Sequence, residues 1–360
     1  MRIAVLGVGL IGGSIGLAAK RRLDATLVGF DPDRSVADRA VELGALDEAP
    51  ASVADAVRDA DVVFCAAPVG ALPALIDEAL RASGEGTVIS DVGSTKRELV
   101  AGLGESGRFI GGHPLAGAET AGVENARDDL FDGARWYLTP TASSIGVLYD
   151  RLQRTVAELG ARPQAIDADA HDRLMATVSH LPHVLANVLA SQAAASVADG
   201  SERLPEVGPS FRDTTRVAGA NPPIWADIFS TNSEAVAAEI DAVVERLRDA
   251  AALLRSGDGE KVAEWHRDAG LARRRLAEAE RDGGPLQELR IGVPNQPGII
   301  ASLALALGDA GVNIEDMALY PAADMHSGAV SLWIAGDEQA RRATALVREL
   351  GHTVSVVARP

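Results

Sequence analysis

The chain has 360 residues, 47% of them hydrophobic and 24% charged, a composition that fits two or three globular domains. Its formal net charge of −17 at pH 7 argues against nucleic acid and anionic membranes as partners, so an anionic small molecule would need a local cluster of Arg and His. The single cysteine, Cys65, excludes an intramolecular disulfide; no apolar run reaches the roughly 20 residues that span a bilayer and no signal-peptide pattern opens the chain, so a cytoplasmic location is expected.

Residues 1–166 alternate short apolar runs with helical patterns. Residues 3–6, 26–30, 62–66 and 87–90 read as buried strands, and 11–22, 34–43, 69–80 and 95–102 as the helices between them. That order predicts an α/β, doubly wound Rossmann domain with a parallel sheet. Cys65 falls inside the third apolar run and reads as core. Over residues 167–281 strand signals vanish. Segments 168–198 and 232–280 are rich in Ala and Leu, and Val236, Ile240, Val243, Val244 and Leu247 recur at helical spacing. This predicts an all-helical domain, with the Gly- and Pro-containing stretch 199–224 as a loop region. A linker at 281–285 leads to residues 286–360. There, strands at 286–293, 313–319, 330–335 and near 352–358 flank helices at 298–310 and 338–350, a ferredoxin-like βαββαβ order.

The first strand runs into Gly7-Val8-Gly9-Leu10-Ile11-Gly12. In this setting Gly7 permits a tight turn, Gly9 lets the backbone approach a pyrophosphate, and Gly12 lets the helix pack on the sheet. The pyrophosphate is expected on the N-terminus of the helix that opens at Leu10 and Ile11. Asp31 ends the second strand, where an acid takes a ribose 2′-hydroxyl and disfavours a 2′-phosphate. This predicts NAD, although Arg34 stands close enough to pair with such a phosphate. Ala67 and Pro68 follow the next strand and are expected to pack against the dinucleotide.

Two further loops follow strands at the same sheet edge. One is Asp91-Val92-Gly93-Ser94-Thr95-Lys96; the other is Gly112-His113-Pro114-Leu115-Ala116-Gly117-Ala118-Glu119. His113, between glycines and a proline, reads as an imidazole on a rigid turn, able to accept a proton from a substrate hydroxyl near neutral pH. Ser94 is placed to orient that ring or to contact a nicotinamide.

These motifs, with Val178-Ser179-His180-Leu181-Pro182-His183 and Phe211-Arg212-Asp213-Thr214-Thr215-Arg216, resemble the prephenate dehydrogenase family in the family's order across residues 1–280. The resemblance implies oxidative decarboxylation of prephenate, or of its amino analogue arogenate, with NAD. It implies that His113 takes the ring hydroxyl proton with help from Ser94, that Arg216 holds a carboxylate, and that Glu119 gates or tunes the site. It places His171, Ser179, His180 and His183 on helical-domain segments facing the cleft, with Ser179, His180 and His183 as substrate-binding candidates and His183 reaching the substrate side chain. Prephenate carries two carboxylates, and Arg is the best bidentate holder of each. Arg212, four residues before Arg216, is the second candidate. His180 and His183 have no third ligand in the sequence, so no metal is expected. One of these two histidines can instead cap or pack in the core, and Val178 and Leu181 suggest that their helix packs inward; Trp225 reads as core, with a border of the substrate pocket or the dimer interface as the alternative. A homodimer through the helical domain is implied by the same resemblance.

Residues 293–300 and 310–314 resemble the opening of an ACT domain. That resemblance implies tyrosine as an effector, contacted by Asn295, Pro297, Gly298 and Asn313, in a module separable from catalysis; a pure dimerisation surface is the other reading. Two rivals remain at this point. A β-hydroxyacid dehydrogenase would place a catalytic Lys on the helical domain, where only Lys261 occurs. A non-catalytic NAD-binding amino-acid sensor would have no use for His113, Ser94 and Arg216 together.

Overall fold

The computed structural model describes residues 1–117, 120–197, 207–279, 286–294, 296, 298–321 and 327–357. The chain divides into two compact units, Met1–His171 with Gly283–Pro360, and Asp172–Asp282.

In the first unit, β1 (Arg2–Leu6), β2 (Thr26–Phe30), β3 (Val62–Cys65) and β4 (Val88–Asp91) form a parallel sheet in the order β2-β1-β3-β4. Every residue of β3 and β4 is buried, as expected of strands covered on both faces. The helices are α1 (Leu10–Arg22), α2 (Arg34–Glu42), α3 (Val53–Val57), α4 (Leu72–Ala82) and α5 (Arg97–Leu103). Asp33 and Ser52 cap α2 and α3 by accepting the Ser35 and Asp55 amides. Only α3 is absent from the sequence reading; five residues are too few to show a helical period.

A second sheet follows, made of β5 (Gly111–Pro114), β6 (Arg135–Thr139) and β7 (Arg162–Ala165), with α6 (Gly146–Glu158) between the last two. β5 runs antiparallel to β6, and β6 parallel to β7. His113, expected on a turn, lies within β5 opposite Tyr137. Its glycine neighbours hide the strand from a propensity reading, and packing requires one of them. A Cβ on Gly112 would fall 2.5 Å from the Asp91 carbonyl oxygen.

The chain passes from the first unit to the second within α7 (Ala168–Met175). A π-helical turn at Ala176–His180 follows, then α8 (Leu181–Val197), α9 (Pro209–Thr215), α10 (Pro222–Thr231), α11 (Ser233–Ser256) and α12 (Gly259–Ala279). The described residues of this unit hold no strand. Two expectations need correction. α9 occupies part of the stretch read as loop, with Pro209 in its first turn, where the missing N–H leaves no bond unmade. Val178, read as core, is 57% exposed while Leu181 is 6% exposed; the π-turn inserts an extra residue and breaks the 3.6-residue spacing that would put both on one face. No helix among the described residues is long and apolar enough to cross a membrane.

The C-terminal segment forms β8 (Leu286–Pro294), α13 (Ile299–Asp309), β9 (Asp316–Pro321), β10 (Ser327–Ala335), α14 (Asp337–Glu349) and β11 (Thr353–Val357). Its antiparallel order β11-β8-β10-β9 is the ferredoxin-like arrangement. It is not a loosely tethered body. Ile300, Leu303 and Leu307 of α13 share one apolar cluster with Leu148, Tyr149 and Leu152 of α6, and Arg154 on α6 donates to the Met317 carbonyl at 2.7 Å. Glycine allows the closest approach, since a Cβ on Gly308 would fall 2.3 Å from the Ala165 carbonyl oxygen. Gly308→Val is expected to cost about 1–3 kcal/mol through overpacking, seen as a lower urea midpoint for the first unit. An unchanged midpoint would show that this face is not packed in solution.

Candidate active site

The turn from β1 into α1 is shaped by three glycines with different duties. Gly7 adopts φ +92°, and a Cβ there would fall 2.6 Å from the Ala66 carbonyl oxygen; a Cβ on Gly12 would fall 2.0 Å from that of Gly7. At Gly9 nothing lies within 4 Å of the Cβ position, so the backbone is open to a closely approaching ligand. Gly9 is the N-cap of α1, no side chain caps the helix, and its first turn, from Leu10 and Ile11, has no acid. Free N–H groups at a helix N-terminus suit a pyrophosphate. Asp31 accepts hydrogen bonds from the Val8 and Asp33 amides at 2.9 and 3.0 Å, tying this turn to the end of β2. Arg34 is turned to other work: it donates to the Ala49 carbonyl at 2.5 Å and pairs with Asp38 at 2.7 Å. Ala67 and Pro68 follow β3 at the same edge. These residues fit a dinucleotide with an unphosphorylated ribose. Cys65 beneath them is fully buried, and burial pushes its thiol well above the usual range, as befits a core residue.

The two loops beyond β4 and before β6 are fastened by one carboxylate. Asp91 is fully buried. Its Oδ1 accepts from the Gly112 amide at 3.0 Å, and its Oδ2 accepts from the Gly93 amide at 2.8 Å and from Lys96 Nζ. Lys96 is fully buried too. A buried charge is tolerated only when paired and hydrogen-bonded, and here both conditions are met at the base of the segments that carry Ser94 and His113. The His113 ring is partly buried, and its Nδ1 lies 2.9 Å from Nε2 of the fully buried His171. The two rings meet edge to face, as do His171 and Tyr137. Ser94, a sequence candidate for orienting His113, makes no hydrogen bond to it; His171 does. No local motif links positions 113 and 171, so their pairing was not readable from spacing.

The second unit carries its own cluster. Arg216 follows α9 directly, one turn beyond Arg212. Arg212 donates through Nε and Nη2 to the Val207 carbonyl at 3.2 and 2.9 Å, so part of its fork is committed to the backbone. His183 on α8 stacks on Trp225 of α10, with ring centroids 3.5 Å apart and planes at 28°. Burial lowers the His183 pKa, a hydrogen bond with the Val217 backbone opposes this, and the charge of Arg216 adds to the lowering. The ring is therefore neutral at neutral pH. His180 is 1% exposed, accepts at Nδ1 from Asn232 Nδ2 at 3.1 Å, and meets Trp225 edge-on, a burial that fits the reading of it as core. Ser179 is half-buried on the π-turn, and Trp225, read as core, is half-buried with its face on His183.

Glu119, Asn295 and Pro297 lie outside the described residues. Of the other C-terminal candidates, Gly298 packs against Ala142, and the Asn313 amide donates to Glu315 at 2.6 Å while its buried Oδ1 has no partner. Among the described residues no three His, Cys, Asp or Glu side chains are grouped as a metal site.

Comparison with known proteins gives this geometry its context. Residues 15–164 match the family profile described as prephenate dehydrogenase, nucleotide-binding domain, and residues 167–268 match prephenate dehydrogenase, dimerization domain. A prephenate dehydrogenase of Bacillus subtilis is 28% identical over 361 residues, covering 95% of this chain and 94% of the relative. A cyclohexadienyl dehydrogenase of Zymomonas mobilis is 32% identical over 278 residues, covering 75% of this chain and 94% of the relative. The crystal structure of prephenate dehydrogenase from Aquifex aeolicus, in complex with hydroxyphenyl propionate and NAD+, matches with a TM-score of 0.71 at 28% identity, over 77% of this chain and 98% of that one. Synechocystis arogenate dehydrogenase matches with a TM-score of 0.68 at 26% identity, over 77% of this chain and the whole of that one. Both parts of the family's architecture are matched in order, and a relative at 32% identity is spanned over nearly all its length; the protein belongs to the prephenate dehydrogenase family.

Proposed function

We propose that this protein oxidatively decarboxylates prephenate to 4-hydroxyphenylpyruvate on the route to tyrosine, using NAD, as a homodimer. The observation that carries the reading is His113, an imidazole held by His171 in the same unit as an open glycine turn for a dinucleotide. NAD, when bound, supplies the hydride acceptor; Gly7, Gly9, Leu10, Ile11, Gly12, Asp31, Ala67 and Pro68 hold it. His113 accepts the proton of the ring hydroxyl as the carbonyl develops. Loss of the ring carboxylate as CO₂ leaves an aromatic ring, which supplies the driving force. Ser94 contacts the substrate or the nicotinamide rather than the His113 ring.

Arg216 binds a substrate carboxylate, with Arg212 as a weaker second holder because its fork already serves Val207. Neutral His183, with Ser179 beside it, contacts the substrate side chain, and Glu119 tunes access. Arg216→Ala is expected to raise the KM for substrate by about 10-fold or more with a much smaller change in kcat, because a charge-assisted contact of about 1.5–3 kcal/mol is lost in ground and transition states alike. An unchanged KM would remove Arg216 from the site.

The similarity to an arogenate dehydrogenase supports arogenate as the second reading. Steady-state NADH formation with prephenate and arogenate, each with NAD and NADP, tests both. Turnover of neither substrate ends the proposal, and an NADP preference ends the role given to Asp31. The ferredoxin-like segment is proposed to act as an ACT domain that binds tyrosine through Asn295, Pro297, Gly298 and Asn313; inhibition by tyrosine is the measurement that tests it.

A further inference from the structure

We infer that His171 is a positioning residue that selects the tautomer of His113. The inference rests on His113 being the general base. The Nδ1···Nε2 separation of 2.9 Å leaves room for one proton between the two imidazoles. A neutral imidazole is a donor at one nitrogen and an acceptor at the other. If the shared proton belongs to His171, His113 carries its own proton on Nε2 and has no lone pair for a substrate hydroxyl. If it belongs to His113 Nδ1, Nε2 carries the lone pair and can act as an acceptor. Only the second arrangement makes a base, and it requires His171 to present a bare Nε2.

The surroundings of His171 hold its ring in place. It is fully buried, its backbone amide donates to the Asp167 carbonyl at 2.8 Å, and the Tyr137 ring meets it edge-on with centroids 5.6 Å apart. Tyr137 stands opposite His113 in the β5–β6 register, so one strand pair sets both the base and the wall behind its holder. Burial disfavours a charged His171. When His113 takes a proton, its Nδ1–H bond to His171 becomes charge-assisted and stronger.

A carboxylate fills this orienting position in the Ser-His-Asp triad. Here the ring Nε2 of a second histidine lies at hydrogen-bond distance in that position.

The test uses the full-length protein. In ¹⁵N-histidine spectra, wild-type His113 is expected as the Nδ1–H tautomer, and in His171→Leu it shifts toward Nε2–H. His171→Leu is expected to lower kcat by about 10–100-fold, the usual cost of losing an orienting partner, with the KM for NAD unchanged. His171→Gln, whose Oε1 can accept from Nδ1–H, should recover most of that loss. Wild-type His113 in the Nε2–H form, or His171→Leu with a kcat within twofold of wild type, overturns the inference. If His171→Leu fails to fold, the wild-type spectrum and His171→Gln decide. The tautomer is read without substrate, so failure to turn over prephenate or arogenate would sink the functional reading and leave this measurement standing.

Discussion

His113→Asn is expected to lower kcat by about 10²–10⁴-fold, the range for losing a positioned general base, while the KM values for NAD and substrate move little. The asparagine amide keeps a polar group in β5 and keeps the strand's backbone pairing with Tyr137, so the fold should persist. What disappears is an acceptor for the hydroxyl proton at the moment the carbonyl forms. An interaction made only in the transition state shows in kcat and in kcat/KM alike, and not in KM. A variant with near wild-type kcat would remove His113 from the chemistry. A variant with a much raised KM and an intact kcat would instead make it a substrate holder.

The parts of the structure that could be read from the sequence are those whose cause is local. β1 to β4 are short apolar runs because both faces of each are covered, and the glycine turn announces itself because Gly7, Gly9 and Gly12 each meet a different steric demand within six residues. The C-terminal βαββαβ order was readable for the same reason. What escaped is set by distant contacts. β5 is Gly-Gly-His-Pro, a poor strand by propensity, and it exists because Gly112 bonds Asp91 and Tyr137 lies opposite His113. The bond between His113 and His171, the latter placed by the resemblance but not paired with the former, spans 58 positions of sequence. The firm seating of the C-terminal segment depends on Gly308 meeting Ala165, and nothing in the pattern of α13 betrays which carbonyl its glycine approaches. The π-turn at Ala176–His180 moved Val178 outward because periodicity arguments assume an unbroken helix.

The buried Asp91–Lys96 pair is where loss of stability is expected to be greatest. Lys96→Met should cost about 3–5 kcal/mol, because it leaves a carboxylate in the interior without its cationic partner. The two amide donors, Gly93 and Gly112, soften that loss without cancelling a charge. Asp91→Asn should cost at least as much for a second reason. Asp91 accepts at both oxygens, and an asparagine offers only one, so its NH₂ must face an amide N–H or the ammonium. The double variant removes both charges but keeps that donor-to-donor conflict. Its loss should therefore be smaller than the sum of the singles and still not zero, and a double-mutant cycle in urea melts separates the two contributions. Additive losses would mean that the charges do not interact. Single variants that melt like wild type would mean that water reaches the pair. Since this carboxylate anchors both the loop of Ser94 and the strand of His113, kcat should fall even under conditions where the single variants remain folded. A folded single variant with full kcat would show that the two segments hold their places without it.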